Sequence, residues 1–103
     1  LGQAVRRARK AGVPVAFGTD AGVFPHGENA KEFGLLLDAG MTSREAVRSA
    51  TLVAADVLDL ENEIGRIAPG YSADMIALEG NPLENARLLE RVDWVMARGR
   101  VIE

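Results

Sequence analysis

A chain of 103 residues supports one domain of roughly 100 residues with little to spare. A formal charge of −3 argues against nucleic acid or an anionic membrane as partner, and no apolar stretch approaches the ~20 residues that span a bilayer. Cysteine is absent, which excludes a disulfide framework and thiolate chemistry, and with five aromatic residues the core is expected to be aliphatic and alanine-rich.

Residues 1–11 place Ala4, Val5, Ala8 and Ala11 at helical spacing, with Arg6, Arg7, Arg9 and Lys10 between them. Cations in the last turn suit the helix dipole, and Gly12 can end the helix in a left-handed conformation. The basic cluster reads as a solvated face, because no aromatic residue interleaves it and the net charge is acidic. The chain opens in mid-helix without a Met, which fits a piece of a longer protein. Pro14 forbids helix and opens a short apolar run, residues 13–18, that stops at Gly18-Thr19-Asp20-Ala21-Gly22. Such a run between Pro and Gly reads as a buried strand, and helical patterns on both sides predict a parallel βα arrangement. Chemistry in such sheets gathers at the carboxyl ends of the strands, where Asp20 sits.

A loop over residues 21–27 carries the single histidine, His26. A helix is expected from about Glu28 to Ala39, with Phe33, Leu36 and Leu37 as its apolar stripe and Gly40 as its stop. Glu28 and Glu32 near its start suit the dipole. Thr42-Ser43-Arg44-Glu45 is a capping box, opening a helix to about Leu58 with Ala46, Val47, Ala50, Val53, Ala54 and Val57 on one face. From residue 61 the texture changes. Residues 64–67 and 73–78 are short strand patterns joined by a turn at Ala68-Pro69-Gly70, and residues 92–97 and 100–102 form a hairpin around Arg98-Gly99. Leu83 to Glu90 reads as a helical connection. Asp74 is expected to anchor turn amides, Trp94 to lie in the core of the β tail, and Tyr71 to pack at the junction.

In this order and spacing, three motifs resemble the C-terminal portion of the amidohydrolase superfamily, the metal-dependent (β/α)8-barrel hydrolases. Phe17-Gly18-Thr19-Asp20-Ala21-Gly22 resembles the end of the eighth barrel strand. Glu45 to Ala55 resembles the helix after the barrel. Ile64-Gly65-Arg66-Ile67-Ala68-Pro69-Gly70-Tyr71-Ser72-Ala73-Asp74-Met75-Ile76 resembles the return to a small β-sandwich. The loop Val23 to Asn29 is most similar to Xaa-Pro dipeptidases and imidazolonepropionase-like hydrolases. The fold class implied is α/β: the last βα units of a TIM-type barrel over residues 1–60, followed by a C-terminal β-sandwich segment over residues 61–103.

For function, the resemblance implies hydrolysis of C–N amide bonds, in the leading reading those of Xaa-Pro dipeptides, with cyclic amides as the alternative within the class. Asp20 carries over as metal ligand and catalytic general base, for a divalent metal, zinc. Alone, Asp20 would read as an Asx-turn or cap residue, and the flanking motifs turn the reading toward a ligand. His26 either lines the substrate pocket or precedes a helix start; it is taken as the substrate-binding candidate. One histidine and the two lysines Lys10 and Lys31 cannot supply the three or more protein ligands of a catalytic zinc, so the chain by itself is expected to bind zinc weakly and to hydrolyse nothing. Expected partners are a small-molecule or dipeptide substrate, and either a second copy in a homo-oligomer or the N-terminal portion of the parent protein, with no nucleic acid and no membrane, in the cytoplasm. A reading from another class is a non-catalytic structural or interaction module, whose exposed strand edge at residues 13–18 would recruit another strand.

Overall fold

A computed structural model of the chain describes residues 2–19 and 28–103. Helix α1 (Gly2–Lys10) has the basic last turn read from the sequence. It closes as expected at Gly12, φ 74°, where the amide of Val13 reaches back to the carbonyl of Ala8 at 2.9 Å. Its cations are not all free in solvent. Arg9 forms a two-pronged pair with Glu45 at 2.7 and 2.8 Å, and Arg6 donates to the carbonyl of Asp38 at 2.7 Å.

Residues 13–19 pair with no other strand among the described residues, so the expected strand lacks a ladder. A parallel strand needs a neighbour about 4.8 Å away on the hydrogen-bonding side, and the three described strands all lie later in the chain. Nor is the run buried as expected: Val15, Phe17 and Thr19 are half-buried, in alternation with Pro14, Ala16 and Gly18, which are exposed.

Helix α2 (Lys31–Asp38) begins three residues later than expected, after a turn in which the amides of Lys31 and Glu32 bond the carbonyls of Glu28 and Asn29. It stops at Gly40, φ 102°, where the amide of Met41 returns to the carbonyl of Leu36. Helix α3 (Ser43–Ala50) starts with both halves of the capping box in place. The expected continuous helix to Leu58 is instead two helices, because Thr51 at φ −124°, ψ −87° breaks it before α4 (Leu52–Val57). Residues 64–66 bend and residue 67 is irregular, where a strand was expected. Two hydrogen bonds hold that stretch back on itself, from the Tyr71 hydroxyl to the carbonyl of Glu61 and from the Ser72 amide to the carbonyl of Glu63.

The sheet is antiparallel, in the order β1 (Met75–Ala77), β2 (Trp94–Ala97), β3 (Arg100–Ile102). Met75 opposes Met96, and Val95 opposes Ile102. Arg98 and Gly99, at φ 51° and 77°, make the two-residue turn whose twist matches the flanking strands. Trp94 is 37% exposed, contrary to the core position expected. It shares its face of the sheet with Met96, which is half-buried, but stands at the first position of β2, opposite Ala77, whose small side chain leaves the indole partly uncovered.

A 3₁₀ helix (Ala86–Glu90) carries the chain back onto α2 and α3. The core is Leu36, Met41, Ala46, Ala86 and Leu89, with Val15, Phe17, Phe33 and Leu78 packed against it, so it draws on residues from both sides of position 61. Small side chains permit this approach: Ala46 and Ala86 are both 0% exposed. Polar bonds fix it. The Ala86 amide donates to Ser43 Oγ at 2.9 Å, and Arg87 pairs with Asp38 at 2.7 Å. No described helix is long and apolar enough to cross a membrane.

Candidate active site

Asp20 and His26 both lie outside the described residues, so the candidate site is built from what leads into it. Phe17 is anchored twice. Its ring stacks on Phe33 of α2 with centroids 4.5 Å apart, and its amide donates to the carbonyl of Ser49 in α3 at 2.9 Å. The peptide three residues before Asp20 is therefore tied to two helices, one by an aromatic contact and one by a backbone bond.

Ser49 is 1% exposed, and its hydroxyl donates to the carbonyl of Ala46 at 2.6 Å, so the buried polar group is satisfied. Thr51 follows the same rule with another effect. Its hydroxyl donates to the carbonyl of Val47 at 2.9 Å, and its amide bonds the carbonyl of Arg48. Gly65, at φ 91°, lies against this break: a Cβ built there would stand 2.9 Å from the Thr51 carbonyl oxygen. None of Ser49, Thr51 and Gly65 was singled out as functional from the sequence. The legible signal was a Ser and a Thr at positions 49 and 51, flanking the apolar helical face on opposite sides.

Beyond Phe17 and Phe33 an apolar hollow of about 590 Å³ opens between the helices and the sheet, bordered by Val47, Ile67, Met75 and Leu78. Asn29, Arg66 and Asp74 supply polar groups at its border. Asp74 is the structural anchor expected. Its carboxylate accepts the amide of Arg98 at 2.8 Å, and that bond, with one from the Ser72 side chain, holds its pKa below the usual carboxylate range. Glu45 is lowered further, to about 2, chiefly by the hydrogen bond from Arg9. Both acids serve structure. Among the described residues, no group of three or more His, Cys, Asp or Glu could hold a metal ion. The chain as a whole has one His and no Cys, a donor set that fits one corner of a metal site and not a complete one.

The sequence profile of the Amidohydrolase family matches residues 3–102. The chain belongs to that family. As an amidohydrolase it is similar to a crystal structure of a Xaa-Pro dipeptidase with methionine bound in its active site, at 44% identity and a TM-score of 0.94. That match covers 99% of this chain and 25% of the dipeptidase. A prolidase crystallised with N-methylphosphonate-L-proline matches at 31% identity and a TM-score of 0.88, over 99% of this chain and 26% of that one. The ochratoxinase of Aspergillus niger is 39% identical over 90 residues, 85% of this chain and 18% of the ochratoxinase. The chain thus spans about a quarter or less of the amidohydrolases it matches. Helices and a three-stranded sheet make up its described part, which is a piece of a TIM-barrel-type enzyme and not a whole barrel. The family is one of hydrolases that generally use divalent metals.

Proposed function

We propose that this chain is the C-terminal part of an amidohydrolase that cleaves the C–N bond of Xaa-Pro dipeptides. The observation that carries the reading is the likeness to the Xaa-Pro dipeptidase over nearly all of the chain. The prolidase crystallised with a proline phosphonate supports the same substrate class. Residues 1–60 contribute the last βα units of the barrel, and residues 61–103 a segment of the β-sandwich.

Asp20 is the ligand this chain offers to the divalent metal, zinc in our reading. The metal, when bound, acts as a Lewis acid and brings the pKa of water toward ~7. Asp20 accepts a proton at one carboxylate oxygen as water attacks the amide carbonyl, and returns it to the leaving proline nitrogen as the C–N bond breaks. A carboxylate suits this because it has a second oxygen left for the metal. His26 lies six residues on, ahead of α2, and contributes to holding the dipeptide.

The test is the full-length protein that carries this chain, assayed with zinc on a panel of Xaa-Pro dipeptides. Asp20→Asn is expected to lower kcat by roughly a hundredfold or more, the range of a lost general base. His26→Ala is expected to raise KM with kcat retained. Equal kcat/KM for Asp20→Asn and wild type removes Asp20 from the mechanism; an unchanged KM in His26→Ala removes His26 from substrate binding. No hydrolysis by the wild type across the panel sinks the dipeptidase reading.

A further inference from the structure

We infer that Thr51 is a positioning residue for the segment that ends in Asp20, acting through the carbonyl of Ser49; the inference rests on the role proposed for Asp20. In an uninterrupted α-helix each carbonyl is committed to the amide four residues on, so the carbonyl of Ser49 would serve Val53 and that of Val47 would serve Thr51. Here the Thr51 hydroxyl takes the Val47 carbonyl at 2.9 Å, and the Thr51 amide turns to Arg48 at 3.2 Å. A side chain thus stands in for a backbone donor. The helix can break at φ −124°, ψ −87° without leaving the Val47 carbonyl unpaired. The Ser49 carbonyl is then turned to a different donor, the amide of Phe17 at 2.9 Å.

Two further contacts keep the break in place. Gly65 leaves room for the Thr51 carbonyl, which accepts from the amide of Ala55 at 2.9 Å and so starts α4. On the other side of the peptide, the stack of Phe17 on Phe33 fixes the ring. The segment cannot rotate about its own axis without losing one of these ties. A general base misplaced by about 1 Å can lose on the order of a hundredfold in rate, so this anchor has catalytic consequences though Thr51 touches no reacting atom.

Amide hydrogen exchange of Phe17 in the full-length protein reads the anchor directly, with the Met41 amide, bonded to Leu36, as the reference elsewhere in the core. Thr51→Val keeps the shape and removes the hydroxyl. It is expected to speed Phe17 exchange roughly tenfold, the worth of one hydrogen bond, while Met41 is unchanged. Thr51→Ser, which keeps the hydroxyl, restores protection. Should Thr51→Val also expose Met41, Thr51→Ala carries the same comparison, because its smaller side chain admits water to the Val47 carbonyl. In the full-length protein, Thr51→Val is expected to lower kcat on an Ala-Pro substrate with KM within about twofold, and Thr51→Ser to recover it. Unchanged Phe17 exchange in Thr51→Val and Thr51→Ala overturns the anchor. Faster exchange with undiminished kcat overturns its catalytic role while leaving the Asp20 reading intact. Full activity in Asp20→Asn overturns that reading and the positioning role together, and the exchange data still report the anchor.

Discussion

Gly65 offers a test in which two costs of one substitution can be separated. Its φ of 91° lies in the left-handed region, where an L side chain costs about 1–2 kcal/mol. A Cβ there would also meet the Thr51 carbonyl oxygen at 2.9 Å and the Cβ of Ala55 at 3.1 Å, and the first is backbone that cannot swing aside. Gly70 has nearly the same φ, 88°, with nothing within 4 Å of its built Cβ. Gly70→Ala therefore carries the conformational cost alone, about 1–2 kcal/mol, and Gly65→Ala that cost plus a forced backbone shift, about 2–4 kcal/mol in all. The gain from a stiffer unfolded chain is common to both and cancels in the comparison. Urea unfolding followed by far-UV circular dichroism measures each loss. A difference of ~1 kcal/mol corresponds to some 4–8 °C in Tm for a domain of this size. Equal losses for the two variants would refute the packing of Gly65 against the helix break.

Glu45 predicts an acid limb. Its pKa is lowered from 4.5 to about 2 in the folded chain, chiefly by the Arg9 hydrogen bond. The stability it adds is present above the unfolded value and is lost as pH falls through about 2, so wild type should weaken between these pH values more steeply than Glu45→Gln. Parallel acid-unfolding curves for the two would contradict this. Zinc titration of this chain by calorimetry should show binding weaker than ~1 μM, since one histidine and scattered carboxylates cannot close a catalytic site. Stoichiometric binding at or below that concentration would show a complete site in the chain.

Local features were legible because their causes are local. The capping box at Thr42 and Glu45, the glycine stops at positions 12 and 40, and the Arg98-Gly99 turn each depend on a few neighbouring residues, and each stands where the sequence puts it. The family was legible for a similar reason: its motifs are contiguous, from Gly18-Thr19-Asp20 to Ala73-Asp74. The break at Thr51 was not foreseen. An apolar face with period 3.6 is compatible with one helix or two, and the choice depends on Phe17 and Gly65, which lie 34 residues before and 14 after it.

The amino-acid sequence by itself determined the helix caps, the turns and the membership of a hydrolase family. Tertiary structure decided whether a run of apolar residues became a strand, since a strand is defined by the neighbour that takes its hydrogen bonds, and residues 13–19 find none among the described strands. It also decided which carbonyl holds the segment leading to Asp20, because a backbone acceptor carries no side-chain label and becomes free only where the helix around it is broken.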